Sequence, residues 1–242
     1  MITRSIKSPA MAQDELQQSF DKSYELYNYL LKLIIDLTDL QERYLDEAKH
    51  KFLPTHEDLN PNPKFIDNEL VNILRENQQL KQYISDHKLT WRDNELFLKL
   101  ILNKIQNSDI YQEYMENGVS DLDGDCHLWR QLFRRLLIDD DDLLEELENQ
   151  SVYWSSDDLE FMGQFVIKTI KRINDGDDFP LMPQFKDEED AKFGKELFAA
   201  TLEQEELNTA TINKSIVEAV FLIILFILSA KLRNTIDISN KN

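Results

Sequence analysis

Between residues 14 and 52 the chain holds neither Gly nor Pro, and its apolar residues recur three and four apart. The set is Leu16, Phe20, Tyr24, Tyr27, Leu31, Ile34, Leu37, Leu40, Tyr44, Ala48 and Phe52. Such spacing draws one stripe down an α-helix of about 3.6 residues per turn, long enough to reach roughly 55 Å. A helix of that length with a single apolar face is stable only against other helices. The whole chain supports the same reading: 5 Gly and 6 Pro in 242 residues leave few turns, and no segment alternates with a period of two. The expectation is an all-α, multi-helix bundle that works by interaction.

Charge narrows the partners. The formal net charge is −19, and the acid lies in the middle of the chain. Residues 1–13 carry Arg4 and Lys7 and no acid, and residues 207–242 are mildly basic. An acidic body repels phosphate backbones at long range, so nucleic acid has to be met by a local basic element or through a partner. A basic protein is the more natural guest. Cys126 is the only cysteine, which excludes an internal disulfide and a four-thiolate zinc site and suits a reducing, cytoplasmic setting. The first residues lack the apolar run of a secretory signal.

The chain divides by composition into a short basic segment (1–13), an acidic helical region (14–174), a loop (175–186) and a last helical region (187–242). Within the acidic region, DLNPNP at 58–63 reads as a turn-rich linker. A second amphipathic helix carries Phe65, Leu70, Ile73, Leu74, Leu80 and Ile84, and Trp91 opens a third segment through Ile105. Ile110, Tyr111 and Tyr114 read as a short turn, ENGVSDLDGD as a polar loop, and HLWRQLFRRLL as helix. A short helix at 140–148 follows, and Ser155 or Ser156 before two Asp residues starts another.

Candidate chemistry is sparse. DLDGD at 121–125 resembles a calcium loop, but an EF-hand needs Gly at the sixth position and Glu at the twelfth, and neither is there. Cys126 and His127 have no second ligand at metal spacing, while His50, His56 and His87 fall on separate elements. No phosphate loop, dinucleotide turn or nucleophile elbow occurs, and Asp139 to Asp142 reads as a solvated helix junction. No catalytic, metal or cofactor site is expected, and the protein is not expected to be an enzyme. Arg130, Arg134 and Arg135, and Lys168, Lys171 and Arg172, form two basic clusters whose plainest reading is pairing with nearby acids. The run AVFLIILFILSA at 219–230 reaches only about 18 Å, short of a hydrocarbon core of about 30 Å, and reads as a buried helix before a membrane anchor.

Several strings taken together resemble one family. FDKSYELYNYLLKLIIDLTDL, KFLPTHEDLNPNPKFIDNELVNIL, SDIYQEYM, LENQSVYW, FVIKTIKRI and PQFKDEEDAKFGKELFAATL are similar to the transcription antitermination factor NusB in its long-insert bacterial form. The likeness covers residues 16–202. It implies a NusB-like helical core with a large acidic helical insert, no cofactor, and binding of boxA-type RNA together with a small-subunit ribosomal protein in the transcription elongation complex. Of the basic N-terminal helix that the family uses on RNA, Arg4 and then Lys7 are what this sequence offers. The chain departs from the family by lacking most of that helix and the helices expected after residue 233. A remnant core of this kind leaves an apolar C-terminal helix to be covered, by self-association or another partner. Two rivals stand beside antitermination: an acidic helical scaffold with no RNA role, and a helical protein held to a membrane by its last helix.

Overall fold

The computed structural model describes residues 9–176, of which residues 18–176 belong to the compact unit that spans Gln18–Pro183. Arg4, Lys7, most of the 175–186 loop, the 187–242 region and its apolar run lie outside the described residues. Every regular element among the described residues is helical, as expected. In chain order these are α1 (Pro9–Lys49), α2 (His56–Leu59), α3 (Glu69–Glu76), α4 (Gln78–His87), α5 (Glu95–Gln106), α6 (Asp109–Glu116), α7 (Leu122–Leu132), α8 (Asp141–Gln150) and α9 (Ser156–Asn174). A 3₁₀ turn (Arg92–Asn94) leads into α5, and a π-helical turn (Phe133–Leu137) extends α7.

Polar side chains at the starts decide where most of the short helices begin. Each accepts a hydrogen bond from a backbone N–H that has no partner inside the helix. Asn68 does this for α3, Asn77 for α4, Asn94 for α5, Ser108 for α6, Asp121 for α7 and Asp140 for α8. At α9 the Asp158 carboxylate accepts from both the N–H and the hydroxyl of Ser155. Asn77 explains why the expected second helix is two: it ends α3 and caps α4 at once. The 110–114 stretch is a full helix rather than a turn, and DLDGD forms the start of α7 rather than a loop.

α1 is the centre of the unit. Between Leu26 and Leu40 its burial extends beyond the expected stripe, with Leu26, Tyr27, Leu30, Leu31, Leu33, Ile34, Leu37 and Leu40 all fully buried. Each such side chain contributes about 1.5–3 kcal/mol by leaving water. Asn28, Asp36 and Thr38 are buried among them. Thr38 satisfies its hydroxyl on the Ile34 carbonyl one turn back.

Directional contacts lock neighbours onto this axis. The Tyr27 hydroxyl meets that of Thr169 on α9 at 2.6 Å. Trp91 stacks on Tyr29 with ring centres 3.9 Å apart and donates its indole N–H to the Tyr29 carbonyl. Asp36 has no exposed side-chain surface and accepts from Lys32, from the Arg92 guanidinium and from the Trp91 backbone N–H. Asp39 binds Arg75 of α3 and Arg92 together. A buried carboxylate is tolerable when donors surround it in this way.

α7 and α9 pack closely against each other. In the π-helical turn the Ile138 N–H reaches back five residues to the Phe133 carbonyl. That places Ile138 against Gly163 of α9, where an added Cβ would lie 2.6 Å from Ile138 Cγ1. Only glycine admits so close an approach.

Candidate interaction groove

The last turns of α1 and the segment leading into α3 enclose a groove of about 410 Å³. Glu42, Leu45, Asp46 and Lys49 form one wall, on one face of α1 by their spacing of three and four. Leu59, Asn60, Pro61, Pro63 and Ile66 form the other. The size falls in the range of pockets that hold a peptide side-chain cluster or a small ligand. Its lining mixes the aliphatic side chains of Leu45, Leu59 and Ile66 with two carboxylates and one ammonium.

The second wall is rigid for identifiable reasons. Thr55 and Asp58 exchange hydrogen bonds across the single turn of α2. Lys51 adds a 2.8 Å ion pair to Asp58, and together these bonds hold the Asp58 carboxyl down at about 2. Pro61 and Pro63 fix the backbone that follows. Behind them Lys64 runs inward and is buried, donating to the Tyr114 carbonyl at 2.5 Å and the Asn117 carbonyl at 2.6 Å. Those carbonyls terminate α6, where the helix dipole favours a cation. The same ammonium lies 4.2 Å from the centre of the Tyr114 ring. The Tyr114 hydroxyl donates to Asp125 at 2.6 Å, and the other oxygen of Asp125 accepts the Glu69 N–H. Burial raises the Asp125 carboxyl above its ordinary value despite both hydrogen bonds.

Large apolar side chains stand exposed at this end of the unit. Phe52 is 97% and Leu53 81% accessible, on the connection from α1 to α2, and Leu59 is half exposed on the groove itself. Three neighbouring apolar residues offered to solvent mark an association surface more than a scattered set would. The sequence showed DLNPNP only as a linker. The apolar stripe read along α1 passes through Leu40, Tyr44 and Ala48 and leaves out Leu45, and nothing local says that a proline-fixed stretch of chain lies opposite.

The residues singled out for chemistry are dispersed. Cys126 is buried, and burial together with the Asp125 and Asp123 carboxylates pushes its thiol up to about 12, which leaves it unreactive. His50 and His87 each contact the carbonyl one turn back in their own helices. No group of His, Cys, Asp and Glu with metal-binding proximity occurs among the described residues. Asp140 and Asp142 grip Lys104 of α5, so that acidic run is a tie between helices rather than a solvated junction. In the basic clusters Arg135 pairs with Asp109 at 3.1 Å, as the plain reading expects. Arg134, Lys168 and Lys171 make no ion pair among the described residues, although Lys168 lies over the Phe165 ring. No helix among the described residues is long and apolar enough to cross a membrane.

No protein-family model, curated protein or solved structure matches the chain.

Proposed function

We propose that this acidic helical unit is a non-catalytic docking module, and that its groove receives a basic, amphipathic segment of another protein. The observation that carries the reading is the groove's make-up: the aliphatic side chains of Leu45, Leu59 and Ile66 line it together with the carboxylates of Glu42 and Asp46. An amphipathic helix laid there would bury apolar side chains and set Lys or Arg against Glu42 and Asp46. The net charge of −19 adds long-range attraction for such a partner.

The test is calorimetric titration of the full chain with a Lys/Leu amphipathic helical peptide and with a scrambled peptide of equal charge. The reading expects binding of the patterned peptide alone, weakened by salt, by Asp46→Lys and by Leu59→Asp. Equal binding of the scrambled peptide, or indifference to both substitutions, would refute the groove as the site.

A second reading places this module in antitermination. Its support is the set of NusB-like strings, two of which, LPTHEDLNPN and LENQSVYW, build the groove wall and the α8–α9 junction. On that reading the basic guest is a small-subunit ribosomal protein, and Arg4 and Lys7 touch boxA RNA. Retention of boxA RNA only when that ribosomal protein is added, lost in Arg4→Glu, is the expected result. Absence of retention with both present would leave the docking module without an RNA role.

A further inference from the structure

We propose that the chain pairs with a second copy of itself, with the exposed segment 50–53 of each copy seated in the groove of the other. The pairing rests on the docking reading above and names an occupant for the same groove. The chain itself carries the kind of guest that the groove selects. His50 and Lys51 lead directly into Phe52 and Leu53, and all four are exposed. Basic and apolar side chains thus stand together, as in a partner complementary to Glu42 and Asp46 on one hand and to Leu45, Leu59 and Ile66 on the other. Lys51 already binds Asp58, but an ammonium has three protons to donate and this one is exposed, so it can also meet a carboxylate of the partner's groove.

The segment does not fill the groove of its own copy. Phe52 is 97% and Leu53 81% accessible, although Lys49 before them and Leu59 after them both line that groove. It is also held out in solvent. Pro54 follows it, Thr55 and Asp58 close the single turn of α2, and Lys51 is tied to Asp58 at 2.8 Å. An apolar pair presented on a braced segment loses little conformational freedom when it binds.

Because segment and groove adjoin, one two-fold axis beside them carries each segment to the other copy's groove, and the two contacts form at once. An aromatic side chain buries about 150–250 Å². Two copies of Phe52 and Leu53, with the walls that they cover, reach roughly 1,200 Å², the lower end of specific interfaces. The net charge of −19 on each copy opposes the pair, but at physiological salt that repulsion is screened beyond about 8 Å, whereas the contacts in the groove lie within that length. The consequence is competitive: an outside basic guest enters the groove by displacing the second copy.

The experiment is sedimentation velocity of the full chain across micromolar concentrations, with the Lys/Leu peptide as the probe. The wild-type chain is expected to pass from monomer to dimer as its concentration rises, and the peptide to return it to monomer. Phe52→Ser should weaken dimerisation by about a hundredfold, a factor of ten for each of the two side chains lost, and should leave peptide binding intact. Leu59→Asp should abolish both. Zero-length carbodiimide coupling in a mixture of normal and heavy-isotope chains should join Lys51 of one copy to Glu42 or Asp46 of the other. A wild-type chain that stays monomeric while binding the peptide would overturn the pairing and leave the docking reading standing, and a chain that does neither would remove both. A dimer that survives Phe52→Ser, or that couples only through other residues, would overturn the reciprocal arrangement.

Discussion

Gly163→Ala tests the closest helix contact in the unit. Alanine relieves the backbone-entropy cost of glycine inside α9, worth about 1 kcal/mol in favour of the variant. Against this, the new methyl would stand 2.6 Å from Ile138 Cγ1 and 2.8 Å from its Cδ1. Forcing a methyl into a packed core costs about 1–3 kcal/mol. The offending atoms belong to a β-branched side chain with few rotamers to escape into, so the upper part of that range applies. The net expectation is a loss of about 1–2 kcal/mol, or roughly 2–8 °C in Tm for a unit of this size. Urea unfolding of the full chain followed by tryptophan fluorescence reads it directly, since Trp91, Trp129 and Trp154 are all buried. The double variant with Ile138→Ala identifies the cause. Ile138→Ala alone should cost about 2–5 kcal/mol. When both substitutions are present the clash is gone, and the pair should be at least about 1 kcal/mol more stable than additivity predicts. A Gly163→Ala chain as stable as wild type, or strict additivity, would refute the close-packing account.

Two further outcomes follow from single residues. Asp125 has its folded pKa raised above the ordinary carboxylate value, chiefly by burial. Between that ordinary value and the raised one the folded state holds a proton that the unfolded chain has lost, so this group makes stability fall as pH rises through the window. Asp125→Asn should flatten that part of the stability–pH curve in urea titrations, and an unchanged slope would contradict the assignment. Lys88 ends α4 in the left-handed conformation, with φ 53°. Lys88→Gly should therefore raise stability by up to about 1 kcal/mol, read as a higher urea midpoint with an unchanged slope.

The all-helical architecture was legible because the relevant signal is periodic. Spacing along α1, α5 and α9, and the Ser155–Asp158 start of α9, are local properties that survive without tertiary information. Breaks that depend on one residue serving two elements were less visible. Asn77 caps α4 while ending α3, yet in sequence it sits in an unbroken polar–apolar pattern. Polar residues in the core were the main omission. Asp36 lies on the expected helix with nothing to show that Trp91 and Arg92, far along the chain, would supply its donors. The same holds for Asp125, which read as part of a loop and instead ties α7 to α3 and α6. The groove was not read from the sequence: the stripe along α1 leaves out Leu45, and the opposing wall depends on Lys64 finding the end of α6.

The wide turn at Phe133–Leu137 carries a surplus residue. A π-turn spends one residue more than the α-turn it replaces, and each residue of a helix advances the chain by about 100° and 1.5 Å. Deleting one residue there would let the backbone close as an ordinary helix, with every local bond satisfied. Because the wide turn covers the same turn with one residue more, the chain beyond it would keep nearly its present phase, and the change would fall on the turn itself, whose bulge seats Ile138 beside Gly163. The surplus residue is thus absorbed where it stands: it widens the helix at the one place where Ile138 must reach Gly163 and leaves the elements on either side almost in step.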